Sequence, residues 1–318
     1  MTTDEVTMTV ETKWSWCFWR RLAAFFVDFA LLGLLGFILG LFFENVFIQI
    51  GNWGRLIGFI IALSYFSVMN SNLFSGQTIG KKILKIKVVN SSNESISFEK
   101  SILRTLVLIT PIFLNGIYFS EEKATSFIAY LLGFIFFGGG FSIIYLFLFN
   151  KITRQSLHDL VARTYVVNTK ASSLKIEKIW NKHFIIILTI LATALIASVL
   201  ISKFTKNDFF TNLAKAQSAV SKEPNILNAS VSSGFTTSNI LSNKDKKTNT
   251  YLHVQATLKT KDIENILIAK KFALVAMDSI PDAKNMDSIQ ISLIKGYDIG
   301  IWSQWTSFRH NFKPSELR

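Results

Sequence analysis

The sequence lacks most of the features that stabilise a disulfide-rich domain or mark a cytosolic enzyme. It has one cysteine, Cys17, among 318 residues, which excludes both an intrachain disulfide and a metal site built from several cysteines. Charged residues make up 17% of the chain, whereas soluble domains have about 25%. The composition is therefore unlike that of a purely cytosolic enzyme.

Apolar residues are abundant and occur in long runs. Half of the residues are hydrophobic, and the mean hydropathy is +0.36. A helix that spans a bilayer needs about 20 mostly apolar residues. We interpret residues 1–21 as a retained cytoplasmic segment, because the apolar run after them is longer than the core of a signal peptide. Five segments qualify as spans: residues 22–43, 53–70, 102–119, 126–149 and 184–202.

The last part of the chain, residues 203–318, has the composition of a water-soluble domain. Residues 207–221 fit a helical stalk, and residues 250–260 alternate as a half-buried strand does. Apolar residues then recur at helical intervals over 263–274, with Thr260 or Asp262 as the cap, and residues 287–308 read as strand, turn and strand. The predicted fold class is therefore an α-helical integral membrane bundle of about five spans with a C-terminal soluble α+β domain, whose sheet we expect to be antiparallel. Three aromatic residues near its end fit either an exposed binding patch or the core: Trp302, Trp305 and Phe308.

The placement of Lys and Arg predicts the orientation in the membrane. With the N-terminus in the cytoplasm, sixteen basic residues lie in inner segments and two, Arg55 and Lys123, in outer loops. Five crossings then place residues 203–318 outside the cytoplasm. The net charge of +13 is partly this topology signal and partly an attraction to anionic lipid headgroups, so we do not expect nucleic acid as a partner.

Two polar loops between the spans contain strand-like stretches. Leu84, Ile86 and Val88 alternate with other residues, and a turn cluster follows at 90–95. This loop fits either a short two-stranded ribbon or an extended basic tether. A second strand-like run covers residues 164–167 in the loop after the fourth span. The two runs can pair beneath the membrane.

Several motifs in these regions resemble a known family. WRRLAAFFVDFALL, GQTIGKKILKIKVV, the arginine of SILRTL, and RQSLHDLVARTYVV occur in this order between residues 14 and 168. Together they resemble the RDD family of prokaryotic multi-pass membrane proteins, named for an arginine and two aspartates. The resemblance assigns these three residues to Arg21, Asp28 and Asp159, with His158, Gly80 and Lys81 in the same motifs. It implies cation/proton exchange or small-solute transport across the cell (inner) membrane. We expect no cofactor.

The charged residues of this region have structural and functional interpretations. We interpret Arg21, at the membrane edge, as reaching lipid phosphates. Asp28 lies inside an apolar helix, where an acid costs about 2.5–3.5 kcal/mol and needs a partner. Arg104, Lys81 and His158 are the possible partners. Asp28 is then either a clamp that fixes the bundle, which we prefer, or a carboxylate that exchanges a proton for a metal cation.

Other chemistry finds less support in the residues. His158 beside Asp159 suggests an acid–base pair, but adjacent helical residues point about 100° apart, so we favour an anchoring role. Residues 77–81 lack the glycine spacing of a phosphate loop. We therefore expect no enzyme, no catalytic residue and no metal site. Two functions remain: a transporter, which with so few spans implies a homo-oligomer, or an envelope scaffold whose outer domain binds an envelope protein.

Overall fold

The computed structural model describes residues 17–115, 127–171, 178–204, 207–239 and 246–317. The interpretations of residues 1–16 and of the loop at 120–125 lie outside these ranges. The chain divides into two compact units. Unit 1 comprises Met1–Gly33, Phe59–Asn115 and Phe134–Ala194, and unit 2 comprises Leu34–Gly58, Gly116–Gly133 and Leu195–Arg318.

The apolar part of the chain forms helices, as predicted. The longest, α1, contains a kink at Phe43, and the fourth predicted span contains a π-helix at Phe134–Gly139, beside three consecutive glycines. The elements are α1 (Cys17–Ile50), a 3₁₀ turn (Gly51–Trp53), α2 (Gly54–Met69), α3 (Ile79–Ile83), β1 (Ile86–Val89), α4 (Phe98–Leu114), α5 (Phe127–Gly133), the π-helix, α6 (Gly140–Phe149), α7 (Leu157–Ala162), β2 (Tyr165–Asn168) and α8 (Lys182–Phe204).

Two helical stretches are long and apolar enough to cross a membrane. They are Phe18–Met69, which includes α1 and α2, and Phe127–Phe149, and a shorter apolar stretch covers Lys182–Ala197. α4 begins at Phe98, and the end of the predicted third span lies outside the described residues. The number of spans therefore stays a prediction.

The two loop strands of unit 1 pair with each other. β1 and β2 are antiparallel, with Ile86 opposite Asn168 and Val89 opposite Tyr165. This confirms the predicted pairing. The alternative of a two-stranded ribbon within the first loop alone is wrong, because β1 pairs with β2 and Ile96, which follows the turn cluster, bridges Ser71. Side chains of both strands pack on α1 in a small apolar core: Ala24, Ile86, Val88, Ile96 and Val166.

The C-terminal part of unit 2 is the predicted α+β domain. It contains α9 (Asp208–Ser221), β3 (Ile226–Asn239), β4 (Lys246–Leu258), α10 (Ile266–Ser279), β5 (Ser288–Asp298) and β6 (Ser303–Phe312). The sheet order is β3-β4-β5-β6. The expectation of an antiparallel sheet is wrong for one pair, because α10 connects β4 to β5 as a crossover and the two strands run parallel. The cap of α10 is Asn265, whose side chain accepts from the amides of Leu267 and Ile268, and neither Thr260 nor Asp262.

The connection between β5 and β6 packs against the ends of α1 and α2 that belong to unit 2. Tyr297 and Ile299 are buried there, against helical glycines. A methyl group at Gly58 would lie 1.8 Å from the carbonyl oxygen of Ile299, and one at Gly40 would lie 1.9 Å from the Tyr297 hydroxyl. Small residues are needed wherever backbone approaches a helix this closely. The absence of a side chain at both glycines therefore makes room for this hairpin.

Ion pairs and an aromatic contact flank the hairpin. The Arg55 guanidinium donates to Asp298 over 2.9 Å, and Lys295 lies 3.2 Å from Glu44. The Trp302 ring packs against Phe37 with 5.3 Å between the centroids. Trp302, Trp305 and Phe308 are 37%, 51% and 42% exposed, so none of these aromatic side chains belongs to the core of the domain.

Candidate functional site

A buried ionic contact of unit 1 joins two arginines on separate helices to one aspartate. Arg21 of α1 and Arg104 of α4 both donate to the carboxylate of Asp159. Arg104 places Nε and Nη2 at 3.1 and 2.8 Å from Oδ1, and Arg21 Nη2 binds Oδ2. Asp159 is fully buried, and the two arginines are 9% and 3% exposed. We call these three residues the Arg–Asp cluster.

The local sequence prepares Asp159 for this role. Ser156 precedes the short helix α7, and its backbone amide donates to Asp159 Oδ2 over 3.1 Å, which forms part of a capping box. The Thr164 hydroxyl adds a donor at 3.3 Å. Burial alone would raise the pKa of Asp159, but the positive charges of Arg21 and Arg104 outweigh it and hold that pKa well below its usual range. Asp159 is therefore ionised at every physiological pH.

This geometry corrects two interpretations made from the sequence. Arg21 does not reach outward to lipid phosphates, because its guanidinium is buried against Asp159 and donates to the Arg154 carbonyl. Arg104 is bonded to Asp159, not to Asp28. Each member of the clamp expected between Asp28 and Arg104 therefore has other partners.

Asp28 is surrounded by uncharged donors. Its Oδ1 accepts from the Tyr65 hydroxyl at 2.7 Å and from the Gly80 amide at 2.8 Å, and its Oδ2 accepts from the Thr78 hydroxyl at 2.5 Å. Asp28 is 1% exposed. A buried carboxylate is tolerated when hydrogen bonds replace its water, and three donors do so at this position. We call Asp28, Tyr65, Thr78 and Gly80 the Asp28 site.

The GQTIGK motif supplies two of these donors through the start of α3. Thr78 is the N-cap of α3, and its hydroxyl also accepts from the Lys81 amide. Gly80 lets α3 approach α1, because a methyl group there would lie 2.2 Å from the Ala24 carbonyl oxygen. The motif therefore attaches α3 to Asp28.

Lys81 and His158 lie beside these two sites. Lys81 Nζ donates to Asn70 Oδ1 over 2.5 Å. Burial and the positive charge of Arg104 lower the pKa of Lys81 to about 7, although Asp28 acts in the opposite direction. Burial likewise lowers the pKa of His158 to about 3, so its ring is neutral. His158 Nε2 lies 3.5 Å from Asp159 Oδ1, and within the described residues its Nδ1 has no hydrogen-bond partner.

A cavity of about 550 Å³ joins the charged residues to an apolar wall. All of its lining residues belong to unit 1. One end is polar, with Arg21, Asp28, Lys81, Arg104 and His158. The remaining lining is mainly apolar and comes mostly from α1, α4, the π-helix and α6, and includes Leu108, Phe137, Phe141, Ile144 and Leu148. The cavity is therefore amphipathic.

The sequence identified most of the charged groups but missed the neutral ones. Tyr65, Thr78 and Asn70 were not expected to contact Asp28 or Lys81, because charge patterns point only to oppositely charged partners. The signal that was present is the hydroxyl at the N-cap position of GQTIGK. In the described part of the chain, no group of three His, Cys, Asp or Glu side chains is placed to hold a metal ion.

Comparison with known proteins identifies the part of the chain that contains this site. Residues 17–163 match the family model of the RDD family. No curated protein and no solved structure matches the chain significantly. The matched residues include Arg21, Asp28, Arg104 and Asp159, so the Arg–Asp cluster and the Asp28 site both lie inside the family region. The chain is therefore a membrane protein whose residues 17–163 belong to the RDD family.

Proposed function

We propose that the RDD region exchanges protons for a monovalent cation across the membrane, and that Lys81 is the group that gains and loses the proton. The observation that supports this proposal is the position of Lys81, whose ammonium borders the cavity beside Asp28 and binds Asn70 Oδ1 at 2.5 Å. With a pKa of about 7, this ammonium releases its proton close to neutral pH.

Asp28 has a different role in this proposal from the two that the sequence suggests. Its carboxylate accepts three hydrogen bonds, from Tyr65, Thr78 and Gly80. In this proposal Asp28 supplies negative charge to the site, and Lys81, not Asp28, carries the exchanged proton.

The exchange follows from charge balance at this position. When the Lys81 ammonium gives its proton to water, the site loses one positive charge. A monovalent cation can then occupy the position near Asn70 Oδ1 and Asp28, since oxygen atoms of protein groups can replace part of its hydration shell. Reprotonation of Lys81 expels the cation, and the net charge of the site is the same in both states.

The test is proton movement in vesicles that contain the purified full chain and a pH-sensitive dye. Addition of sodium, potassium or lithium between about pH 6 and pH 9 should drive proton flux. The flux should be half-maximal near pH 7, because the pKa of Lys81 is about 7. Lys81→Gln should abolish the flux. Lys82→Gln, which changes a neighbouring lysine that is not buried, should leave it unchanged. Wild-type vesicles without flux for any of the three cations would exclude the exchange.

The location we propose is the cell (inner) membrane, with several spans, a cytoplasmic N-terminus and an extracytoplasmic C-terminal domain. The sixteen-to-two distribution of basic residues supports this orientation. We propose no enzymatic activity and no cofactor.

A scaffold function is the second proposal, and the hairpin of unit 2 supports it. Tyr297 and Ile299 pack against the helical glycines Gly40 and Gly58, and two ion pairs flank them. Such contacts hold the C-terminal sheet firmly on the ends of α1 and α2, as presentation of a domain to an envelope protein requires. Capture of one defined envelope protein by the full chain, without ion flux, would favour this alternative.

A further inference from the structure

We infer that the cavity of unit 1 binds an anionic phospholipid, with the headgroup at the charged end and an acyl chain along the apolar wall. This inference goes beyond ion exchange, because lipid binding requires no ion gradient. It rests on the lining of the cavity, on the balance of its charges, and on one buried ring nitrogen that has no partner within the described residues.

The apolar wall matches a hydrocarbon chain. Phe137, Phe141, Ile144 and Leu148 follow one another along the π-helix and α6 and line the cavity with Leu108. Ile144 and Leu148 are 54% and 45% exposed. In a membrane protein, exposed apolar side chains face lipid, so this wall is open to the bilayer. The volume of about 550 Å³ is in the range of about 300–1,000 Å³ that is usual for ligand pockets.

The polar end favours a negative headgroup. Arg21, Lys81 and Arg104 line it, whereas Asp28 is the one carboxylate among the described residues that line the cavity. Asp159, behind the lining, neutralises a further positive charge through its contacts with both arginines. A net positive charge remains while Lys81 is protonated. A phosphate would balance this charge, whereas the choline of a zwitterionic headgroup would add a cation to it.

His158 adds a specific acceptor to this end. Its neutral ring places Nε2 at 3.5 Å from Asp159 Oδ1, and the carboxylate favours the tautomer with the proton on Nε2. Nδ1 is then an acceptor, and it is buried and without a partner among the described residues. A hydroxyl of the headgroup would satisfy it. Phosphatidylglycerol combines a negative phosphate with hydroxyl groups, and it is the probe that fits best.

A water-soluble phosphate would use the same polar groups but would leave the apolar wall without a partner. The lipid satisfies both ends of the cavity at once. We therefore assign the site to a phospholipid of the surrounding bilayer and treat free phosphate as the competing outcome.

The experiment measures lipid binding to the full chain in detergent by native mass spectrometry. Phosphatidylglycerol and phosphatidylcholine with identical acyl chains are compared, and inorganic phosphate and glycerol phosphate are added as soluble competitors. We expect phosphatidylglycerol to bind at least about tenfold more tightly than phosphatidylcholine, and neither soluble anion to displace it at millimolar concentration. Equal binding of the two lipids, or displacement by phosphate, would overturn the assignment.

Two pairs of variants locate the bound lipid. Ile144→Trp narrows the apolar wall and should reduce phosphatidylglycerol binding about tenfold, whereas Ile60→Trp, at a comparably exposed isoleucine outside the lining, should not. Leu148→Trp tests the same wall if Ile144→Trp is not monodisperse. Lys81→Gln should lower the preference for the anionic lipid, with Lys82→Gln as its control. Retained binding in both tryptophan variants of the wall would place the lipid elsewhere and refute the inference.

The outcomes for exchange and for lipid binding are independent. A chain that binds phosphatidylglycerol in this manner but shows no proton flux would reject the exchange and keep the lipid site. A chain that shows flux with no preference between the lipids would do the reverse.

Discussion

Arg104 Nη2 lies 2.8 Å from Asp159 Oδ1, although 55 residues separate the two in the chain. Arg21, which is 138 residues from Asp159, binds the other carboxylate oxygen. One carboxylate therefore joins α1, α4 and α7. Arg21 and Asp159, to which the resemblance assigns the family's arginine and second aspartate, are direct partners in this protein, whereas Asp28 belongs to a separate hydrogen-bonded site.

The first prediction concerns the loss of this shared acceptor. Asp159→Asn leaves two buried guanidinium groups without their counter-ion, and breaking a buried ion pair in this way costs about 3–5 kcal/mol. We expect most of the folded protein to be lost, which size-exclusion chromatography of detergent extracts would measure.

A double variant tests the reason for that loss. Adding Arg104→Gln to Asp159→Asn removes one of the two stranded cations, so part of the folded protein should return. Asp278→Asn, at an exposed carboxylate, serves as the control and should behave as the wild type does. A double variant that is worse than the single one would contradict the cluster as described.

The second prediction concerns the approach of α3 to α1. Gly80→Ala places a methyl group 2.2 Å from the Ala24 carbonyl oxygen, so α3 must move away from Asp28. We expect a loss of about 1–3 kcal/mol, as for other overpacked positions, seen as a lower melting temperature in detergent. Gly139→Ala is the matched control, because its methyl group would meet no atom closer than 3.6 Å. Equal melting temperatures for the two variants would refute this packing.

The third prediction concerns the pH dependence of stability through Lys81. Its pKa is about 7 in the folded protein, against an ordinary value of 10.5 for a lysine in an unfolded chain. Between these values the unfolded chain binds more protons than the folded one, so stability should rise with pH from about 7 to about 10.5. Below pH 7 Lys81 is charged in the folded protein, which then bears the full free-energy cost of burying the ammonium.

The measurement is the difference in melting temperature between wild type and Lys81→Gln at several pH values. This difference should grow in favour of the wild type as the pH rises above 7. The difference in melting temperature between the wild type and Lys82→Gln should not grow in this way as the pH rises. A wild-type advantage that is constant with pH would show that Lys81 titrates normally.

The fourth prediction concerns orientation and rests on the distribution of Lys and Arg. A reporter inserted after Lys170 should be active only in the cytoplasm, and one fused after Arg318 only outside it. A cytoplasmic signal from both fusions would mean that the number of spans is even between these positions.

Regular periodicity explains which parts of the fold were predictable. The alternation at Leu84, Ile86 and Val88 and the short run at 164–167 indicated strands, and β1 and β2 pair as expected. The helices α9 and α10 and the strands β4, β5 and β6 also followed from their patterns. Except for β6, whose side chains are mostly exposed, these segments have an apolar face whose period matches the structure.

β3 was missed because its sequence gives a weak signal. Residues 226–239 contain many Ser, Thr and Asn residues, and few apolar side chains mark a buried face. Its regularity comes from pairing with β4 along nearly its whole length, which is a long-range interaction. The parallel pairing of β4 with β5 likewise depends on where α10 packs, and no local pattern specifies that.

The partners of the charged residues were unpredictable for a related reason. The sequence suggests a cation opposite Asp28, but Tyr65, Thr78 and the Gly80 amide satisfy it without charge. Charge patterns cannot reveal neutral donors. Likewise, Arg104 binds Asp159 and not Asp28 because of the position of α7, which carries Asp159 55 residues further along the chain.

The glycines that receive the hairpin in unit 2 also bear on assembly. Gly36 and Gly40 on α1, and Gly54 and Gly58 on α2, are each four residues apart, which is the GxxxG spacing through which membrane helices commonly dimerise. Residues 297–302 of the same chain cover both pairs of glycines. The helix surface through which such helices usually self-associate is thus already covered within one molecule, so any homo-oligomer of this protein has to form through other faces of its helices.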